Sequence, residues 1–226
     1  MRLLRFTIVA ASLIVTTAFA SPNDPKPGVE YIVLSTPQPS QTVDKKVEVI
    51  EFFMYHCPYC HALEPTLEQW VKKQGDNIIF KRIHMPYQGP SDPEAHLFLT
   101  LQAMGKSEEY QSRVMDAVGD IVKRKRSETL TEQEILDVAS RLPGIDQAKF
   151  KDTWNSFGVM TMLDRQPGIV SNNYKINSVP TIVIDGKYVT SPGTVGEATH
   201  TRNQQRVFEE TLQVADALIT KVQKSK

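Results

Sequence analysis

The chain contains two cysteines, Cys57 and Cys60, two residues apart within the run VEVIEFFMYHCPYCH from Val47 to His61. A disulfide between them closes so short a loop that it removes little chain entropy, so the pair reads as a reaction centre rather than a staple. Strand-forming Val47, Val49, Ile50, Phe52 and Phe53 lead into it. A helix is predicted to start at the first cysteine, with Pro58 at the first helical position, where its missing N–H costs nothing. Cys57 then lies among the unpaired N–H groups and the positive end of the helix dipole, which favour thiolate over thiol. Cys60, three residues on, projects from the same face. It is expected to be more buried and less acidic. In thiol–disulfide exchange this predicts that Cys57 forms the mixed disulfide and Cys60 resolves it.

The elements around the pair must hold it in place. Val47 to Tyr55 lacks clean alternation and reads as a central strand buried on both faces. The helix that follows carries Leu63, Leu67, Trp70 and Val71 on one side, with Pro65 as a kink. Tyr31 to Leu34 and Ile78 to His84 read as further strands. From Pro86 the character changes. Asp92-Pro93-Glu94 starts a helix that stops at Gly105, and Ser107 is expected to cap a second with Tyr110, Val114, Val118 and Ile121. Thr131 and Glu134 form a capping box for a third. Asp146 caps a fourth carrying Phe150, Trp154 and Phe157. Pro167-Gly168 is expected to break the pattern before a short helical stretch to about Tyr174. Thr181 to Ile184, the type I′ turn signal Asp185-Gly186, and Tyr188 to Thr190 make a hairpin. The last helix shows one apolar stripe: Val207, Phe208, Thr211, Leu212, Ala215, Leu218, Ile219 and Val222.

The 226 residues, 40% hydrophobic and 23% charged, suit one or two globular domains. Arg2 and Arg5, the apolar stretch Phe6 to Val15, and Ala18-Phe19-Ala20 form a secretory signal peptide over residues 1–20, cut after about Ala20. Without it, 24 basic residues face 26 acidic ones, a balance that points to neither nucleic acid nor an anionic membrane. The basic run Lys123-Arg124-Lys125-Arg126 has no interleaved aromatics and reads as a solvated helix end. Export implies an oxidising compartment, where a lone close cysteine pair is there for its reactivity.

A strand ending in Glu51-Phe52-Phe53, then C-P-Y-C with Pro65 five residues later, then a distant Val179-Pro180 before a strand, resembles the thioredoxin superfamily. The helical insertion and the signal peptide, with Trp154-Asn155-Ser156-Phe157 and His84, make the chain similar to the DsbA family of periplasmic thiol:disulfide oxidoreductases. The resemblance covers nearly the whole mature chain. It implies an α/β thioredoxin fold in two parts, 21–87 and 166–226, around an all-helical insertion at 88–165. By the same resemblance Pro180 is the cis proline beside the disulfide, and with Val179, His56, Pro58 and Tyr59 it forms the substrate-binding surface. Glu51 is the acid beneath the site, a proton acceptor for Cys60. No metal or cofactor is implied beyond the Cys57–Cys60 disulfide. The expected partners are newly exported cysteine-containing proteins and a DsbB-like membrane quinone-linked oxidase, with the protein a monomer in the periplasm.

One departure bears on strength as an oxidant. Family members commonly carry Pro-His between the cysteines, and here Pro58-Tyr59 stands there, so the positive charge of that histidine is missing. His56 and His61 flank the pair and can partly replace it. Other readings of the same residues are a disulfide reductase or isomerase, a c-type haem site through C-x-x-C-H, and a redox-silent peptide-binding chaperone. A zinc site from Cys57, Cys60, His56 and His61 is disfavoured, because neighbours on one helical turn do not close a tetrahedron.

Overall fold

The computed structural model describes residues 22–225, so the expected signal peptide lies outside the described residues. Five strands form one mixed sheet in the order β1-β5-β4-β2-β3. They are β1 (Ile32–Val33), β2 (Val47–Phe53), β3 (Ile78–His84), β4 (Thr181–Ile184) and β5 (Tyr188–Thr190). As its lack of clean alternation predicts, β2 is buried along its whole length, Glu48 and Glu51 included. It pairs parallel with β3 and antiparallel with β4. The two-residue period sends Val47 and Val49 to one face, against Leu63 and Leu67 of helix α1 (Pro58–Gln74) and Leu212 and Leu218 of α8 (Gln204–Lys224). Ile50 and Phe52 face the other side, with Val170, Tyr174 and Ile176. Glu51 therefore points toward the α1 face.

All eight residues of the apolar stripe predicted for the last helix are buried. Asp185 and Gly186 both have positive φ, 53° and 60°, as the type I′ signal requires. An alanine at 186 would place its Cβ 2.3 Å from the Gln38 carbonyl oxygen, so the turn is closed to any side chain there.

Between β3 and β4 lie α2 (Pro93–Ala103), α3 (Ser107–Lys125), α4 (Glu132–Ser140), α5 (Gln147–Trp154) and α6 (Phe157–Gly168). Asp92 caps α2 on the Ala95 N–H, Thr131 and Glu134 make the full capping box of α4, and Asp146 caps α5. Leu97, Phe98 and Leu101 of α2, Tyr110 and Val114 of α3 and Trp154 of α5 share one apolar cluster with Phe53, Tyr55, Cys57 and Cys60. The helical segment is thus packed directly onto the cysteine end of β2.

Three local expectations are corrected. Ser107 is the first helical residue of α3 rather than its cap; Lys106 stands at the cap, and its side chain makes no capping bond. Phe157 belongs to α6, whose cap is Ser156, and is 87% exposed instead of joining the stripe of α5. Pro167-Gly168 does not break the chain: α6 runs through both and continues as a π-helical turn, Ile169–Asn173. The boundary drawn between 165 and 166 therefore falls inside one helix. A proline costs a helix one N–H, and near the C-terminal end the wider turn accommodates it. The short helix α7 (Pro192–Thr199), capped by Ser191, was not foreseen, because its Gly and Thr content carries no apolar period.

Candidate active site

Cys57 is the N-cap of α1. Its backbone is extended, and its Sγ accepts the Cys60 N–H at 3.2 Å. Pro58 occupies the first helical position, as predicted. Both cysteines are free thiols, Cys57 6% and Cys60 0% exposed. The hydrogen bond from the Cys60 side chain and the N–H groups of Cys60 and Tyr59, with the charge of His56, pull the Cys57 thiol down to about 7 against its burial. Burial, joined by the bond to Cys57 and by the charges of Cys57 and Glu51, pushes the Cys60 thiol far up. One turn of helix thus holds a thiol ready to ionise beside one that keeps its proton.

The Val179–Pro180 bond is cis. It brings the Val179 carbonyl oxygen to 3.7 Å from Cys57 Sγ, across 122 residues of chain. Beside this loop a cleft of about 430 Å³ opens, lined by Tyr59, Val179, Pro180, Gly196, Val207 and Phe208 among others. Tyr59 is exposed at its rim. Cys57, Tyr59, Val179 and Pro180 therefore meet at one place, and the cleft is open enough for an extended peptide to lie against the loop.

Beneath them sits a buried charge network. Arg82, opposite Glu51 in the β2–β3 register, donates from Nε to Glu51 Oε2 at 2.7 Å. Its Nη2 reaches both oxygens of Glu64 on α1, at 2.9 and 3.1 Å, and Nη1 bonds Glu108 on α3. Burial pushes the Glu51 carboxyl up to about 7, against the pull of Arg82 and with the repulsion of Glu64 and Glu108. Glu51 Oε1 has no hydrogen-bond partner. A buried carboxyl poised near neutrality thus lies within electrostatic reach of the Cys60 thiol and helps raise it.

The histidines divide. The sequence placed His56 with the substrate-contacting residues, but its side chain is 2% exposed and turned inward onto Glu94 of α2. It can act on Cys57 through charge, not by touching an arriving peptide. His61 is half exposed and pairs with Asp116 at 2.8 Å. Three partners of the site escaped the sequence reading: Arg82, Glu64 and Glu94. Arg82 interrupts the apolar strand Ile78–His84 and Glu64 sits between Leu63 and Pro65, so each was a visible charge in an apolar context. In the sequence Glu94 signals only a helix start. Among the described residues no group of three or more His, Cys, Asp or Glu is arranged to hold a metal. A thioether-linked haem would need both sulfurs accessible, and Cys60 is fully enclosed.

Comparison with known proteins agrees with this geometry. A thioredoxin family model matches residues 43–213. The chain is 36% identical over 225 residues to the thiol:disulfide interchange protein DsbA of Burkholderia cepacia, covering 100% of this chain and 99% of that one. It is 32% identical to DsbA of Pseudomonas aeruginosa, covering 96% and 97%. The crystal structure of Pseudomonas aeruginosa DsbA superposes with a TM-score of 0.70 at 32% identity, covering 88% of this chain and 94% of that one. NmDsbA1 of Neisseria meningitidis superposes at 0.68 with 26% identity, covering 88% and 95%. With an asymmetric thiol pair at the head of α1, a cis-proline loop against it and relatives spanning its whole length, this chain belongs to the DsbA family of thiol:disulfide oxidoreductases.

Proposed function

We propose that this enzyme introduces disulfide bonds into newly exported cysteine-containing proteins through Cys57 and Cys60. The observation that carries the reading is the asymmetry of the pair: Cys57 caps the helix with its sulfur held by the Cys60 N–H, while Cys60 is enclosed. In the oxidised enzyme a substrate thiolate attacks Cys57 Sγ, forming a mixed disulfide and expelling Cys60 as a thiolate that takes up a proton. A second substrate thiolate then attacks the substrate sulfur and releases Cys57 as a thiolate. The substrate loses two electrons, which reside in the reduced pair.

Glu51 supplies the proton to the Cys60 thiolate on opening and takes it back on reoxidation, which suits a carboxyl held near neutrality. Val179 and Pro180 align the substrate backbone, and Tyr59 and Pro58 form the surface next to Cys57. The redox centre is the cysteine pair itself, with no further cofactor. The protein works as a monomer in the periplasm after cleavage near Ala20, and a DsbB-like quinone-linked membrane protein reoxidises it. Among the described residues no helix is long and apolar enough to cross a membrane.

The test is a pair of substitutions. Cys57→Ser is expected to abolish oxidation of a reduced, unfolded protein substrate. Cys60→Ser, first activated at Cys57 as the mixed disulfide with an aromatic thiol, is expected to exchange that thiol for the reduced substrate and give mixed disulfides that survive acid trapping on a non-reducing gel. Full dithiol-oxidising activity in Cys57→Ser would refute the mechanism.

A further inference from the structure

Glu94 reaches from the second residue of α2 to the residue before the reactive cysteine. It is 1% exposed. Its Oε2 accepts the His56 backbone N–H at 3.1 Å, and its Oε1 lies 2.6 Å from His56 Nδ1. A buried carboxylate needs a countercharge. Two imidazoles touch it. His84 Nε2 lies 3.5 Å from Glu94 Oε2 and also accepts the Tyr55 backbone N–H at 3.2 Å. His56, at 2.6 Å and bonded through both its ring and its backbone N–H, makes the closer contact and is the better placed cation. Its Nδ1 must hold a proton to meet the carboxylate, and its Nε2 is sealed from solvent without a hydrogen-bond partner. The ring packs edge-on to Tyr87 at 5.2 Å between centroids, and Asp92 and Glu128 add negative charge from the α2 cap and from the segment after α3.

We infer that Glu94 is a positioning residue that fixes a buried His56 imidazolium one residue before Cys57, supplying from the helical insertion the positive charge that Tyr59 does not supply between the cysteines. Burial opposes charge on His56, yet the hydrogen bond and charge of Glu94 prevail and raise it. Glu94 is held at about 2 despite burial, first by its bond to His56 and then by His84. The inference rests on the reading of Cys57 as the reactive thiol. A charge that stabilises the Cys57 thiolate stabilises the reduced enzyme, and so makes the disulfide a stronger oxidant. Above the Cys57 midpoint, oxidising one substrate dithiol turns the enzyme disulfide into one thiolate and one thiol and releases one proton. The imidazolium keeps its own proton throughout.

The experiment titrates Cys57 by thiolate absorbance at 240 nm in the reduced full-length mature protein, for the parent, Glu94→Gln, His56→Asn and the double variant. Glutathione equilibria are measured alongside. Each single variant is expected to raise the Cys57 midpoint and to cut the thiolate fraction at pH 5–6 roughly tenfold, the low end for loss of an adjacent opposite charge. The equilibrium should shift against oxidation of glutathione, and the double variant should add little to either single one. A folded Glu94→Gln or His56→Asn protein with the parental midpoint would overturn the inference, as would fully additive shifts. One measurement needs no substitution: by reciprocity the His56 ring must titrate at higher pH in the reduced than in the oxidised parent, followed by NMR. Equal His56 midpoints in the two forms would also overturn it. A parent whose Cys57 shows no low midpoint would instead remove the reading of Cys57 itself, and this inference with it.

Discussion

Replacing Glu51 by glutamine should make the protein more stable, and only above about pH 5. Glu51 is enclosed on β2, and burial lifts its carboxyl to about 7 from an ordinary 4.5. Below the lower value the carboxyl is protonated in both folded and unfolded chains. Between the two values the folded state keeps a proton that the unfolded chain has lost, so stability falls as pH rises through this window. Above about 7 both states are ionised and the full penalty remains. A gap of that size corresponds to about 3 kcal/mol, at about 1.4 kcal/mol for each unit. Glutamine mimics the protonated acid and can still bond Arg82 through its carbonyl oxygen. The variant should therefore match the parent near pH 4.5 and exceed it by about 3 kcal/mol at pH 8. The main groups perturbing Glu51 are Arg82, Glu64 and Glu108, not sulfur, so the comparison can be made on the disulfide form, free of thiol titration. Urea unfolding at the two pH values reads the difference directly. A stability difference that is absent at pH 8, or equal at both pH values, would refute the placement of this carboxyl near neutrality and with it the proton-exchange role.

The alkylation rate of the reduced protein by iodoacetamide should rise about tenfold per pH unit below 7 and level off above it, with label on Cys57 alone until the chain is unfolded. Because the folded Cys57 thiol lies below its ordinary 9.0, the reduced protein binds fewer protons than its unfolded chain between about pH 7 and 9. Its stability relative to the oxidised form should rise with pH across that window, a gain absent below it; a flat or falling difference in chemical denaturation would contradict this. Arg82→Met should destabilise the protein by roughly 3–5 kcal/mol at pH 8, since it strands Glu51 and Glu64 without their countercharge. The loss should shrink toward pH 4.5 as both carboxyls protonate, and a loss independent of pH would argue that Arg82 acts through packing alone.

Much of this protein was legible in the order of its residues. The C-P-Y-C spacing, the proline at the first helical position and the strand running into it fix where a helix starts, and the helix start already marks Cys57 as the more acidic thiol, a difference that the burial of Cys60 and the charge of His56 enlarge. Thr131 with Glu134, Asp185-Gly186 and the stripe of the last helix are local codes, each settled by backbone geometry within a few residues, and the fold follows them. Where local signals conflicted, the fold overrode them: α6 runs on through Pro167 because Val159, Leu163 and Gln166 on one side of it are buried in place. Only the tertiary structure could bring Val179 against Cys57, set Arg82 between Glu51, Glu64 and Glu108, and turn His56 from the surface onto Glu94. Those contacts join residues 18 to 122 positions apart, where no periodicity reaches. A buried charge is tolerated only where the whole fold supplies its partner, and sequence can show that such a charge exists without showing which partner it meets.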